Sequence, residues 1–183
     1  MPACVAISAW LGACGEPPTD ARARSALPRC TEDGHLTVET FGAVAARIDW
    51  QGDSLTCEGM KRPRGKGARL RFAGNVGPEE GRPFAIILSI PDLGRGRAAD
   101  ELPTRVTLIE ENAARFFSTR DTDICWSDVN EQSPMQRPDG STIRDRYKIS
   151  GVTYCVAPIP ELNGSESITL SEMAFSGQLR WVK

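Results

Sequence analysis

The chain has 183 residues, of which 25% are charged, and a formal net charge of −2 at pH 7. A near-neutral, mildly acidic chain with two Tyr, six Phe and four Trp lacks the overall basic charge and the aromatic platforms of a nucleic-acid binder. A single histidine, His35, supplies neither a triad nor a metal site by itself, so histidine-centred catalysis has little to work with.

In chain order the first feature is "MPACVAISAWLGA", residues 1–13, which holds no charged side chain and is apolar or small from Cys4 onward. A membrane-spanning helix needs roughly 20 residues, so this run suits the hydrophobic region of a signal peptide better than a permanent span. The polar, Pro-containing stretch "GEPPTDARARSALPR" follows it directly. At the junction stands Leu11-Gly12-Ala13-Cys14. This tetrapeptide resembles the lipobox of bacterial lipoproteins, with Leu three residues before the cleavage point, two small residues, and then the modified cysteine.

The resemblance covers only about the first 20 residues. It implies a signal peptide over 1–13, acylation of Cys14, and a polar tether over 14–34 leading to a domain over 35–183. Several acyl chains at about 0.8 kcal/mol per buried CH₂ give stable anchoring in a bilayer, the chain's expected partner. Gly15 after the modified position, where Asp would retain the protein at the inner membrane, implies sorting to the outer membrane, facing the periplasm. Signals of this class usually begin with Lys or Arg. None precedes Cys14 here, and the expectation is a translation start upstream of Met1.

Removing 13 of the 183 residues leaves 170, enough for one domain burying roughly 70% of its unfolded surface. Of the six cysteines, Cys4 would leave with the signal and Cys14 would carry lipid. The remaining four read as two disulfides in an exported chain, with three possible connectivities. Cys30–Cys57 and Cys125–Cys155 are expected, because each pair flanks a self-contained set of strands. Each such loop is worth roughly 3–3.5 kcal/mol in the chain-entropy model. No C-x-x-C pair favours zinc instead.

Beyond the tether the hydrophobic period is two. Val44, Ala46, Ile48 and Trp50 alternate with polar or small residues, as do Leu70 and Phe72, then Val106 and Leu108. Phe84, Ile86, Leu88 and Ile90 share a face with Ile87 opposite, the pattern of a central strand; Met173, Phe175, Gly177, Leu179 and Trp181 share another. Turn chemistry recurs at 51–54, 64–67, 77–83 and 137–141, while "PDLGRGRAADELP" (91–103) reads as a long loop. The expectation is all-β: a single antiparallel β-sandwich or partly open barrel of about 8–9 strands.

Candidate chemistry is sparse. Gly52-Asp53-Ser54-Leu55 matches by letters the signature of the GDSL lipases and esterases, whose serine is activated by a downstream histidine. No histidine follows Ser54, so the tetrapeptide reads as a turn. His35 reads as a partly exposed residue beside a turn. Lys61, Arg62, Arg64, Lys66, Arg69 and Arg71 form a candidate patch for an anionic glycan or lipid, Arg offering bidentate contacts to carboxylate or phosphate. The alternative for the same run is a solvated hairpin whose edge is protected by charge.

Asp121, Asp123, Asp128 and Glu131 cluster in "STRDTDICWSDVNEQ". Asp121, Asp123 and Asp128 are candidate Ca²⁺ ligands, although the spacing is not that of an EF-hand. Trp126 is expected to pack on the Cys125 disulfide. Two function classes follow. One is a non-enzymatic envelope binding or structural module on a lipid anchor, with no cofactor. The other is a periplasmic hydrolase of envelope glycans using a carboxylate pair from the acidic cluster, which would need two such groups about 5–10 Å apart across a groove.

Overall fold

A computed structural model describes residues 29–77, 81–120 and 122–182. The expected signal, Cys14, most of the tether and Asp121 lie outside the described residues. The chain is all-β. In order it forms β1 (His35–Gly42), β2 (Ala46–Gln51), β3 (Thr56–Lys61), β4 (Ala68–Val76) and β5 (Arg82–Ile90). Then come β6 (Ala99–Pro103), β7 (Arg105–Glu110), β8 (Arg115–Ser118), β9 (Cys125–Gln136) and β10 (Thr142–Cys155). The last three are β11 (Ile159–Pro160), β12 (Ser167–Leu170) and β13 (Met173–Arg180).

Nine of these strands run in the order β11-β12-β1-β13-β3-β4-β5-β7-β8, a curled sheet that makes a partly open barrel. Its two ends approach at an antiparallel bridge between Phe117 and Glu161. Leu162 N–H donates to the Phe116 carbonyl at the same seam (2.8 Å). β13 is the junction. One edge pairs with β10 from Arg146↔Arg180 to Thr153↔Met173; the other pairs with β1 at Ala174–Ser176 and meets β3 in parallel at Arg180↔Met60. Beyond β10 lie β9 and then β6, and β2 flanks β1.

The alternating residues fill the interior. Leu36, Leu70, Phe72, Phe84, Ile86, Leu88, Leu108, Phe117, Ile149 and Phe175 are among its fully buried side chains. Phe72 and Phe175 meet at 5.8 Å between centroids. Gly177 makes that possible: a Cβ there would stand 3.1 Å from the Phe72 ring and 3.3 Å from the Cys57 sulfur. Both disulfides form as paired in the sequence reading. Cys30–Cys57 ties the segment before β1 to β3, and Cys125–Cys155 joins directly opposed residues of β9 and β10.

Three differences from the sequence reading have physical causes. Among the described residues thirteen strands form rather than eight or nine, partly because Ala99–Pro103 pairs with β9 instead of remaining loop. That pairing is irregular: Glu101 is left-handed (φ 53°), and its N–H is caught by Asp128 Oδ1 at 2.7 Å. Second, the acidic segment enters a twelve-residue strand at Cys125. Its inward positions include Ser127, whose hydroxyl bonds Thr153 (2.7 Å) and Thr104 (2.8 Å) within the core, so no apolar alternation marks it. Third, Trp126 faces away from the Cys125 disulfide, as strand alternation requires, and stacks on Tyr154 at 6.2 Å.

Two stability outcomes follow. Phe175→Ala should lower the unfolding free energy by about 3–5 kcal/mol in urea titration, the range for emptying a buried aromatic site. Replacing Cys125 and Cys155 together by Ala should cost roughly 3–3.5 kcal/mol, read in the same titration.

Candidate anionic-ligand surface

The six cations of Lys61–Arg71 span the end of β3, the β3–β4 turn and the start of β4. The turn closes through Arg62 N–H to the Gly67 carbonyl (3.0 Å) and Arg62 Nη1 to the Lys66 carbonyl (3.3 Å). Gly67 adopts φ +84°, and a Cβ there would fall 2.0 Å from the Ile90 carbonyl oxygen, so no side chain fits between this turn and the end of β5. The cations do not form one patch. They divide three ways.

Arg62, Arg64 and Arg69, with Pro63, overhang the outer face of β5, β7 and β8. The cleft beneath them, about 520 Å³, is floored by Ile87, Ile109, Phe116, Ser89 and Thr107. These apolar side chains sit on the side of the sheet where alternation would place polar ones. Ile87 is nearly buried, whereas Phe116 is 40% exposed. Arg105, opposite Ser89 in the β5–β7 register, adds an exposed cation on the same face.

Lys61 and Lys66 face a second cleft of about 540 Å³ with Gly67, Asp92, Leu93, Gly94, Arg95, Trp181 and Val182. Arg71 is paired with Glu111 at 2.5 Å and shares with Arg69, Glu58 and Met60 a fourth cleft of only about 70 Å³. The other five have no salt bridge among the described residues. A third, smaller cleft opens where β3 and β13 part, lined by Gly59, Met60, Leu179 and Val182 among others.

The second cleft is held in shape by Gln132 of β9. Its Nε2 donates to the Gly94 and Arg97 carbonyls (both 2.8 Å), and its Oε1 accepts from Gly96 N–H (3.1 Å) and Trp181 Nε1 (2.9 Å). One amide thus fixes the 94–97 loop and the indole together. Arg95 closes the loop's outer side. Its guanidinium bonds Tyr147 Oη (3.0 Å), lies over that ring and pairs with Asp145 (2.7 Å), and the Tyr147 bond, then Asp145, holds its pKa above the ordinary arginine value.

A separate polar cluster pins the barrel seam. Arg115 of β8 reaches Glu161 (3.1 Å), Glu166 and the buried Glu110 (3.4 Å), and Arg82 also holds Glu110 (2.6 Å). The Glu161 bond is the main cause of an Arg115 pKa raised above its usual value. Every carboxylate here has a cation and every cation a carboxylate, so the group is structural.

The remaining candidates are placed singly. Ser54 Oγ donates to the Gln51 carbonyl (2.7 Å) and accepts from Gln51 N–H (3.0 Å) in a 3₁₀ turn over Gly52–Ser54, so its hydroxyl closes a turn. His35 Nδ1 lies 3.4 Å from the Asp33 carbonyl oxygen. Asp128 is spent on Glu101, and Glu131 accepts from Ser133 Oγ at 2.6 Å. Asp123, Asp128 and Glu131 line none of the four clefts. Among the described residues no three His, Cys, Asp or Glu side chains are grouped to hold a metal.

The sequence reading missed Trp181, Gln132, Arg95 and the outward Ile87, Ile109 and Phe116 as parts of a site. The signal in the sequence is Ile87, apolar on the face opposite Phe84, Ile86, Leu88 and Ile90, a pattern that there marks only a central strand. Gln132→Leu should free the 94–97 loop: faster amide exchange at Gly96 and a red-shifted tryptophan emission are the expected readouts, with global unfolding shifted by about 1–3 kcal/mol. Comparison with known proteins gave no matching family model, no matching curated sequence and no matching solved structure.

Proposed function

We propose that this chain is a lipid-anchored envelope protein of a bacterium, a non-enzymatic module that holds an anionic envelope component against its β3–β4 surface. The observation that carries the reading is the arginine cleft. Three guanidinium groups without ion-pair partners among the described residues overhang an outward apolar floor. Arginine forks match phosphate or carboxylate oxygens, and Ile87, Ile109 and Phe116 match the apolar part of the same molecule. A phosphate-bearing lipid has both parts. Acylation at Cys14 and sorting to the outer membrane rest on the lipobox-like Leu11–Cys14, and the two disulfides agree with an oxidising compartment.

The glycan-hydrolase alternative gains no support among the described residues, where Asp123, Asp128 and Glu131 line no cleft and Asp128 and Glu131 are bonded to their own sheet.

Two measurements test the proposal. Intact-mass analysis of the protein from its host membrane should show a chain starting at Cys14 with acyl mass added; an unmodified Met1 chain would remove the anchor. Sedimentation of the Cys14→Ser chain with vesicles should show binding to phosphatidylglycerol-containing bilayers and none to pure phosphatidylcholine. Arg62→Gln, Arg64→Gln and Arg69→Gln together should weaken that binding by on the order of 10²-fold, at about 1 kcal/mol per cation near the surface. Unchanged binding by the triple variant would overturn the role of the arginine cleft.

A further inference from the structure

The second cleft has a different chemistry from the arginine cleft, and we infer that it is a binding site for an acidic saccharide. Its composition is the first argument. An indole, Trp181, lines it with the exposed Val182 over the buried Leu93, while Lys61, Lys66 and Asp92 stand around it. Pyranose rings present an apolar C–H face that packs on such an indole, and ring hydroxyls donate to a carboxylate such as Asp92 while a sugar carboxylate accepts from the ammonium groups.

Charge narrows the ligand. Arg95 is already committed to Asp145 and Tyr147, so the cations left to a ligand are Lys61 and Lys66, opposed by one carboxylate, Asp92. A surplus of one positive charge suits a monoanion. A polyphosphate would bring several charges against Asp92, and a neutral sugar would leave both ammonium groups without a partner.

Preorganisation is the third argument. Trp181 is fixed by Gln132 through its Nε1, and the facing loop is fixed by the same amide through Gly94, Gly96 and Arg97. The indole plane and the loop therefore keep their spacing without a ligand, which lowers the ordering cost of binding. At about 540 Å³ the cleft falls within the range of small-ligand sites. This inference rests on side chains at the barrel end and not on the lipid anchor, so it stands or falls separately from the proposed function.

The test is calorimetric titration of the full chain carrying Cys14→Ser with galacturonate, a monoanionic sugar, alongside neutral galactose and benzoate. Galacturonate should bind, with galactose at least about tenfold weaker, the difference one charge-assisted hydrogen bond makes. Lys61→Gln with Lys66→Gln should lose about 10- to 100-fold in affinity for the acidic sugar. Trp181→Leu should abolish binding, with the far-ultraviolet spectrum checked; if that variant does not fold, the lysine pair alone decides. Absence of galacturonate binding at millimolar concentration, equal affinity for galactose or for benzoate, or indifference to the lysine pair would each overturn the assignment.

Discussion

A strand has two hydrogen-bonding edges, and β13 uses both. Along one it carries β10 over its whole length, and along the other it carries β1 and then, at Arg180, β3. The curled sheet and the β10–β9–β6 extension must therefore share one backbone, whose inward residues Met173, Phe175, Gly177 and Leu179 are all buried. Sharing brings β3, β13 and β4 close together, and side chains of ordinary size cannot all fit at that point. The missing side chain of Gly177 gives Phe72 and the Cys57 sulfur their space. The apolar core is assembled on this junction, and on the opposite side the seam between β8 and β11 adds the Arg115 ion pairs to the buried Phe117 and Ile159.

How far the sequence could be read depended on what filled the inward positions. Where they were Val, Ile, Leu or Phe, as in β2, β5, β7 and β13, the period of two was plain and the strands fell where expected. Where they were Ser and Thr, the period vanished. Thr104, Ser127 and Thr153 satisfy one another inside the protein, so polar letters occupy buried places and β9 reads like a loop. The disulfides were legible because their loops enclose adjacent strands. The binding surface was only half legible: the cations of Lys61–Arg71 could be counted, but their division between two clefts depends on which way a turn folds. Trp181 and Gln132 are 49 residues apart and meet only through tertiary structure.

The cations of this surface differ in how they are restrained. Arg71 and Arg95, whose neighbours supply carboxylates, are held in place and help shape the surface. Lys61, Arg62, Arg64, Lys66 and Arg69 lie on or beside a six-residue turn pinned at Gly67 and project from a backbone that has little freedom to move. Exposed side chains without ion-pair partners on such a turn can meet an anion at little ordering cost to the backbone. Salt weakens such exposed contacts, because the Debye length is only about 8 Å at physiological ionic strength.

The Cys30–Cys57 bond has a mechanical consequence. Any pull on the chain from its N-terminal side enters the fold at Cys30, and the covalent bond passes it straight to Cys57 in β3. The 26 residues between the two cysteines, including β1 and β2, are bypassed by that load. Tension is delivered instead to the β3–β4 ladder, where Cys57 faces Phe72 and five further residue pairs share the force. The first strands of the domain are thereby spared from peeling, and the force-bearing element is the ladder whose turn carries the cationic side chains.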